Sequence, residues 1–265
     1  MEVRAMQEKD LLLVRKEEGV CTLEINRPEK LNALTAEVYL RLIDALHAAN
    51  EDGQTRVVVL RGAGEKAFSS GHDISQLLTS EEDETKDHLE EVISAIETCA
   101  VPVIAMIYGY CIAAGCGLAV ACDLRLAADN ARLGVTAARL GVVYPASALL
   151  RFINVIGVPA TKELFYTGKL IDAERAKQIG LADQVIPAGR LAAVTYDLAL
   201  EIAGNSPLSI RATKKMVLSL LGYQNISSQA RAEFLYLQKQ AATSQDLKEG
   251  KLAFKEKRKP VFKGV

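Results

Sequence analysis

Two short segments carry residue types that can position a reacting oxygen. KAFSSGHDI (66–74) follows a Val/Leu-rich run and holds too much glycine and serine for a core element. Gly71 lets the backbone bend sharply, so the amide of the next residue, His72, can point into a cavity. GYCIAAGCG (109–117) reads as the end of a strand and the start of a helix among small residues. The first N–H groups of a helix have no partner within it and favour negative charge. Small side chains let a ligand come close to them. Two such amides converging on one oxygen form an oxyanion hole, worth about 3–4 kcal/mol per donor. Each segment alone is equally consistent with a tight turn of no function.

The elements around these segments set where they can point. Leu11–Arg15 and Val20–Asn26 read as paired strands around Glu18 and Gly19. Thr35 can cap a helix running to about Asn50, with Val38, Leu42, Ala45 and Leu46 on one face. Arg56–Arg61 is a strand, Gly62–Asp73 a loop, and Glu81–Thr98 a loop running into a helix. PVIAMIY (102–108) reads as a buried strand, with Gly109 and Tyr110 at a turn before the helix AAGCGLAVAC (113–122). A short strand at Leu124–Ala127 follows. Helices are expected over Pro145–Val155, Ala160–Thr167 and Asp172–Ile179. A short strand at Val185 and Ile186 precedes helices at Leu191–Ala203, Pro207–Leu221, Ser227–Gln240 and Ser244–Lys255. Strands alternate with helices over the first two-thirds, and the last third is helical. This predicts an α/β domain over 1–203 with a helical C-terminal region over 204–265.

Composition excludes several classes. The 265 residues carry 32 basic and 33 acidic side chains, so no global charge points to nucleic acid. Cys21, Cys99, Cys111, Cys116 and Cys122 are odd in number and contain no CxxC pair, which suggests neither a disulfide framework nor a zinc ribbon. Buried, reduced thiols in a cytoplasmic protein fit best. The start, MEVRAMQEKD, lacks the apolar stretch of a signal peptide. Val101–Cys122 is uncharged and long enough to span a bilayer. Pro102, Gly109, Gly115 and Gly117 interrupt it, and a buried strand feeding a buried helix is expected instead. The tail from Lys248 to Lys263 has seven cationic side chains against Glu249 and Glu256. It is either a solvated helix end or a phosphate contact.

The chain resembles the crotonase, or enoyl-CoA hydratase/isomerase, superfamily over nearly its whole length. The stretches that carry the resemblance are RPEKLNALT (27–35), KAFSSGHDI (66–74), PVIAMIYGYCIAAGCGLAVACDLRLAA (102–128), RLGVVYP (139–145), ELFYTGKLIDAERAKQIGLADQVI (163–186) and AFKEKRKPVF (253–262). The resemblance implies an α/β spiral of ββα turns, with a C-terminal helical region that packs trimers or dimers of trimers. It implies an acyl-CoA thioester as substrate and no tightly bound cofactor, coenzyme A being part of the substrate. His72 and Ala114 match the family's two oxyanion donors. Leu31, Ala33, Phe68, Ser70, Asp73 and Ile74 match positions along the adenine and pantetheine path. Phe254 and Lys257 match tail positions that reach a neighbouring subunit's coenzyme A.

One part of the pattern is broken. The family's hydratases use two glutamates to position and activate water. Gly117 and Ala137 stand at those positions here, and neither can move a proton. A carboxylate from Asp73, Glu81 or Glu82 is a possible substitute; alternatively, Asp73 simply caps its loop. Two polar residues remain at matching active-site positions, His72 and Tyr144. Their combination is similar to the superfamily's bacterial methylmalonyl-CoA decarboxylases, although those retain a glutamate at the Gly117 position and differ at Ala114 and Pro145. Losing carbon dioxide from a malonyl-type thioester leaves an enolate that an oxyanion hole stabilises, and the step needs no strong base. The expectation is therefore a lyase that decarboxylates such a substrate. A hydratase, isomerase or thioester hydrolase with relocated acid/base groups is the alternative, and a non-catalytic acyl-CoA-binding subunit is a third. His47 and His88 are given no role.

Overall fold

The short Val/Leu/Ala-rich runs form strands, and the chain deals them out to two sheets. A computed structural model describes residues 10–73, 84–140, 144–222 and 243–256, with single positions at 229, 232, 233, 236, 240, 258, 261 and 263. β1 (Leu12–Glu17) and β2 (Val20–Ile25) pair antiparallel. The chain reverses through Glu18 at φ 48° and Gly19 at φ 81°, the left-handed pair that a two-residue hairpin needs. α1 (Ala36–Glu51) starts where Thr35 Oγ1 accepts the Val38 N–H at 3.3 Å. Its stripe of Val38, Tyr39, Leu42, Leu46 and Ala49 is buried.

From there the chain winds. β3 (Val57–Gly62) enters the first sheet, β4 (Ala67–Ser69) the second, and α2 (Glu84–Thr98) returns across them. β5 (Val103–Ile107), β6 (Tyr110–Ile112) and α3 (Ala114–Ala121) repeat the pattern. So do β7 (Leu124–Ala128), β8 (Arg132–Gly134) and α4 (Ala146–Thr167). β9 (Ile171–Asp172), α5 (Ala173–Gln178), β10 (Gln184–Ile186) and α6 (Ala188–Ala203) follow. The first sheet has the order β1-β2-β3-β5-β7-β10 and the second β4-β6-β8-β9. From β2 onward the first sheet is parallel. Parallel strands are covered on both faces. α6 packs Leu191 and Ala199 on one face with Val57, Val59, Ile104 and Met106. α1 to α4 cover the other face. This is the expected spiral of ββα turns.

Several sequence expectations change in detail. The 62–73 loop contains β4, and Tyr110 opens β6 rather than sitting in a turn. β8 and β9 had no signal in the sequence, because strands of two or three residues are too short to show alternation. The uncharged run Val101–Cys122 divides into β5, β6 and α3. Among the described residues, no helix is long and apolar enough to cross a membrane. The two helices expected over 145–167 meet in α4 at Gly157 (φ 73°), two residues before Pro159. Asp172 is the cap of α5, its side chain accepting the Arg175 N–H at 2.8 Å, rather than its first residue. α7 (Pro207–Gly222) and α8 (Gln245–Glu256) complete the described helices, and the helix expected over 227–240 lies for the most part outside the described residues.

Candidate active site

The two glycine-containing segments meet. After β4 the chain stays extended along two neighbours. On one edge β4 pairs with β6. On the other, Ser70 N–H donates to Leu31 O at 3.0 Å, Leu34 N–H to Gly71 O at 2.8 Å, and Asp73 N–H to Leu34 O at 2.9 Å. Amides of an extended chain alternate between edges. His72 N–H therefore points away from Leu34, toward the side where β6 runs into α3.

Gly71 is what lets the two segments approach. Its φ is +91°, and a β-carbon there would lie 3.0 Å from Ile112 O and Ala113 Cβ and 3.2 Å from Ala114 N. Gly115 has a similar constraint, since a β-carbon would lie 2.6 Å from Ser69 O. Ser69 Oγ in turn accepts the Gly71 N–H at 3.1 Å. Ala113 takes φ 52° and ψ −117°, a conformation costing a non-glycine residue about 1–3 kcal/mol. Its own N–H is held by Gly134 O at 2.9 Å. That strained step turns the chain into α3 with the Ala114 N–H as the first helical amide. Among the described residues that N–H has no hydrogen-bond acceptor. The result is a corner in which the amides following Gly71 and Ala113 can face one oxygen.

Residues 27–35 brace this corner. Leu31 and Asn32 both have positive φ, 50° and 55°. Asn32 is fully buried; its Nδ2 donates to Ala63 O at 3.1 Å and Ala67 O at 2.7 Å, and its Oδ1 accepts the Arg27 N–H at 3.1 Å. Gly62 must be glycine because a β-carbon would overlap Asn32 Nδ2. Arg27 donates to Ala33 O at 2.7 Å and to Asp73 Oδ2 at 2.9 Å. Asp73 thus joins the two loops through an ion pair. Leu31 is exposed and Ser70 half-buried, whereas Ala33 is nearly buried. Phe68 is wholly buried in the core, so it supports the loop from beneath instead of lining it with its side chain. Ile74, Lys257 and the Phe254 side chain lie outside the described residues, as do Glu81 and Glu82.

Two side chains could act at the corner. The His72 imidazole is half-buried, and its Nδ1 lies 3.0 Å from Tyr39 Oη, with the two rings edge to face. Tyr39 is not among the residues that the sequence singles out; it lies beside Val38 on the buried stripe of α1. Tyr144 is half-buried at the N-terminal side of α4, its ring edge-on to Phe165 at 5.2 Å. Burial pushes its phenol above the usual value, and the nearby Cys116 thiol of α3 adds to this. Tyr144 is therefore a neutral hydrogen-bond donor near the helix that carries Ala114.

No carboxylate replaces the two missing glutamates within α3. Among the described residues, a β-carbon at Gly117 would meet only Ile93 Cδ1, at 3.8 Å. Ala137 is buried. Among the described residues, no group of three or more His, Cys, Asp or Glu is placed to hold a metal ion. A cavity of about 700 Å3 lies at the other end of α3, beside Val120, Cys122, Arg151 and Leu218. It suits a thioester oxygen poorly. A helix C-terminus disfavours negative charge, and its cations Arg125, Arg151 and Lys214 are already paired with acids. His88, given no role, is paired with Glu91 at 2.9 Å.

Strands dealt alternately to two sheets, a helix after each pair, and an amide corner where one pair enters its helix define a crotonase-type spiral. The enoyl-CoA hydratase/isomerase family matches residues 15–265, and the chain belongs to that family. It is 33% identical over 254 residues to crotonyl-CoA hydratase of Syntrophomonas wolfei, covering 95% of this chain and 97% of that one. It is 32% identical over 255 residues to 2,3-dehydroadipyl-CoA hydratase of Escherichia coli, covering 96% and 98%. The crystal structure of an enoyl-CoA hydratase/carnithine racemase from Magnetospirillum magneticum superposes with a TM-score of 0.91 at 31% identity, over 98% of this chain and 97% of that one.

Proposed function

We propose that the chain binds an acyl-CoA thioester with its carbonyl oxygen at the His72 and Ala114 amides and decarboxylates a malonyl- or methylmalonyl-type acyl group. The observation that carries this reading is the Gly71–Ala114 corner next to a Gly117 that, among the described residues, has only Ile93 Cδ1 within reach of a β-carbon, where a hydratase would present a carboxylate. The bond from the α-carbon to the carboxylate carbon breaks, carbon dioxide leaves, and the electron pair becomes the enolate on the thioester oxygen. The amides stabilise that charge as it develops. Tyr144, neutral and donating, holds the departing carboxylate out of the thioester plane. His72 passes to the α-carbon the one proton that the reaction consumes and regains it from solvent water. The absence of glutamate at 117 and 137 also spares the substrate carboxylate a like-charge neighbour.

Leu31, Ala33 and Ser70 border the coenzyme A path in this reading. Phe254 and Lys257 contribute from the C-terminal region (204–265) of an adjacent subunit in a trimer. The relatives named as hydratases support a second reading, hydration with an acid and a base drawn from elsewhere in the chain. Purified protein incubated with malonyl-, methylmalonyl- and crotonyl-CoA distinguishes the two, with products followed by mass spectrometry. Loss of carbon dioxide from the first two supports decarboxylation. Hydration of crotonyl-CoA alone overturns it.

A further inference from the structure

A catalytic histidine works only in the right tautomer, and the tautomer is set by whatever its other nitrogen bonds. His72 Nδ1 faces Tyr39 Oη at 3.0 Å. Tyr39 is fully buried on the core-facing stripe of α1, which it shares with Val38 and Leu42. Between a phenol and a neutral imidazole the stronger hydrogen bond runs in one direction. The phenol, the stronger acid of the two, donates, and the imidazole nitrogen accepts.

We propose that Tyr39 is the positioning residue for His72: by donating to Nδ1 it fixes the Nε2–H tautomer and aims that proton away from α1. This rests on the proton-delivering role given to His72 above. The rigidity of the donor matters as much as its polarity. α1 is anchored at its start by the Thr35 cap, and Leu34, one residue earlier, is itself bonded to both Gly71 and Asp73. The same loop-to-helix junction therefore fixes the backbone on either side of His72 and the partner of its ring. His72 supplies a backbone amide to the corner and, from the same residue, a side-chain proton whose direction Tyr39 sets.

The experiment has two arms. In the first, nitrogen NMR of 15N-histidine-labelled protein reads the tautomer directly, with the His72 signals assigned through His72→Gln. The expected result is Nε2–H in the parent and a mixed or Nδ1–H population in Tyr39→Phe. Nδ1–H in the parent, or an unchanged tautomer in Tyr39→Phe, overturns the proposal. This arm needs no substrate, so it stands even when decarboxylation fails. In the second arm, Tyr39→Phe lowers kcat by about 10- to 100-fold at nearly constant KM. Combined with His72→Gln it adds no further loss, because it acts through that ring. An undiminished kcat, or a loss that adds in full to that of His72→Gln, shows a merely structural tyrosine.

Discussion

Gly71 and Ala114 come from separate turns of the spiral, yet a β-carbon on Gly71 would lie 3.2 Å from the Ala114 nitrogen. The space a side chain would fill is the space the corner needs. Gly71→Ala meets two penalties, a φ of +91° and contacts of 3.0 Å with Ile112 O and Ala113 Cβ. It should cost about 1–3 kcal/mol of stability. Relief by a shift of the 70–73 strand moves the His72 amide off the oxygen, so turnover should fall about 100- to 1,000-fold, the worth of one oxyanion donor. Thermal melting with steady-state kinetics checks both, and a fully active Gly71→Ala protein would remove the His72 amide from the site.

Tyr144→Phe tests the group that acts on the carboxylate. The ring contact with Phe165 is retained, so stability should change little. Turnover should fall by more than binding weakens. Burial holds the phenol above its ordinary value of about 10. The sign follows directly: the folded state binds this proton more tightly than the unfolded state, so the contribution is complete below about pH 10 and declines as pH rises beyond it. The parent should therefore show no loss of turnover from Tyr144 up to about pH 10. An alkaline limb below pH 9 that disappears in Tyr144→Phe would contradict a neutral, buried donor.

The Arg27–Asp73 pair fastens the two loops, with side chains 14% and 12% exposed. Asp73→Asn keeps an acceptor but removes the charge. A fully buried pair broken on one side costs about 3–5 kcal/mol, and an exposed one under about 1. This intermediate case should lose about 1–3 kcal/mol in urea unfolding. A parallel rise in the KM for the acyl-CoA is expected, since Leu31 and Ser70 lie on the same loops. Unchanged stability would mean that the backbone bonds at Leu31 and Leu34 hold the corner unaided.

The C-terminal segment offers a pH test independent of the site. Glu249 on α8 accepts from Arg258 and from the Val261 N–H at 2.8 Å. The Arg258 guanidinium, and then the Val261 amide, lower its carboxyl from 4.5 to about 2. A depressed folded value means the contact is complete above about pH 4.5 and fades as pH falls toward 2. Hydrogen exchange at the Val261 amide should accelerate across that window beyond the intrinsic rate. In Glu249→Gln the acceleration should be absent.

What the sequence made legible depends on length scale. α1 and its Thr35 cap, β3, β5 and β7 showed in apolar periodicity because each is long enough to repeat a pattern. β4, β6, β8 and β9 escaped notice since each is two or three residues long and is fixed by pairing with strands remote in the chain. The corner followed the same division. Gly71 and the small residues at 109–117 announce that a backbone must bend or approach closely, so the two segments were visible. Their meeting was not derivable from the residues and came from the resemblance. Tyr39 shows the limit most clearly: on a helical wheel it is one more apolar face residue, and only the folded chain brings His72 to its hydroxyl. Asn32 likewise reads as a turn residue, yet it is buried and ties together three backbone segments. Phe68 was expected along the ligand path because its position in the motif matched; the strand it sits in turns the ring into the core.

Gly117 is the position where the proposed chemistry and its alternative diverge. It lies in α3, one turn beyond Ala113, and its N–H donates to Ala113 O at 3.0 Å. Among the described residues a β-carbon there meets only Ile93 Cδ1, at ordinary van der Waals distance, so the first atom of a Gly117→Glu side chain is accommodated. Glycine is a poor helix former, and the substitution should raise stability by about 0.5 kcal/mol if the carboxylate stays solvated. The effect on chemistry should run the other way. The superfamily's decarboxylases retain a glutamate here beside other residues at 114 and 145; with Ala114 and Pro145 in place, a carboxylate facing the acyl group should repel a malonyl-type substrate, so decarboxylation should fall with a rise in KM. A single glutamate opposite Ala137 still lacks its partner, and crotonyl-CoA hydration should remain near background. Both outcomes are read in one assay of the folded variant. Should Gly117→Glu leave decarboxylation intact and bring hydration to a substantial rate, the acyl group does not sit against this face of α3, and the second acid needed for hydration is already present elsewhere in the chain.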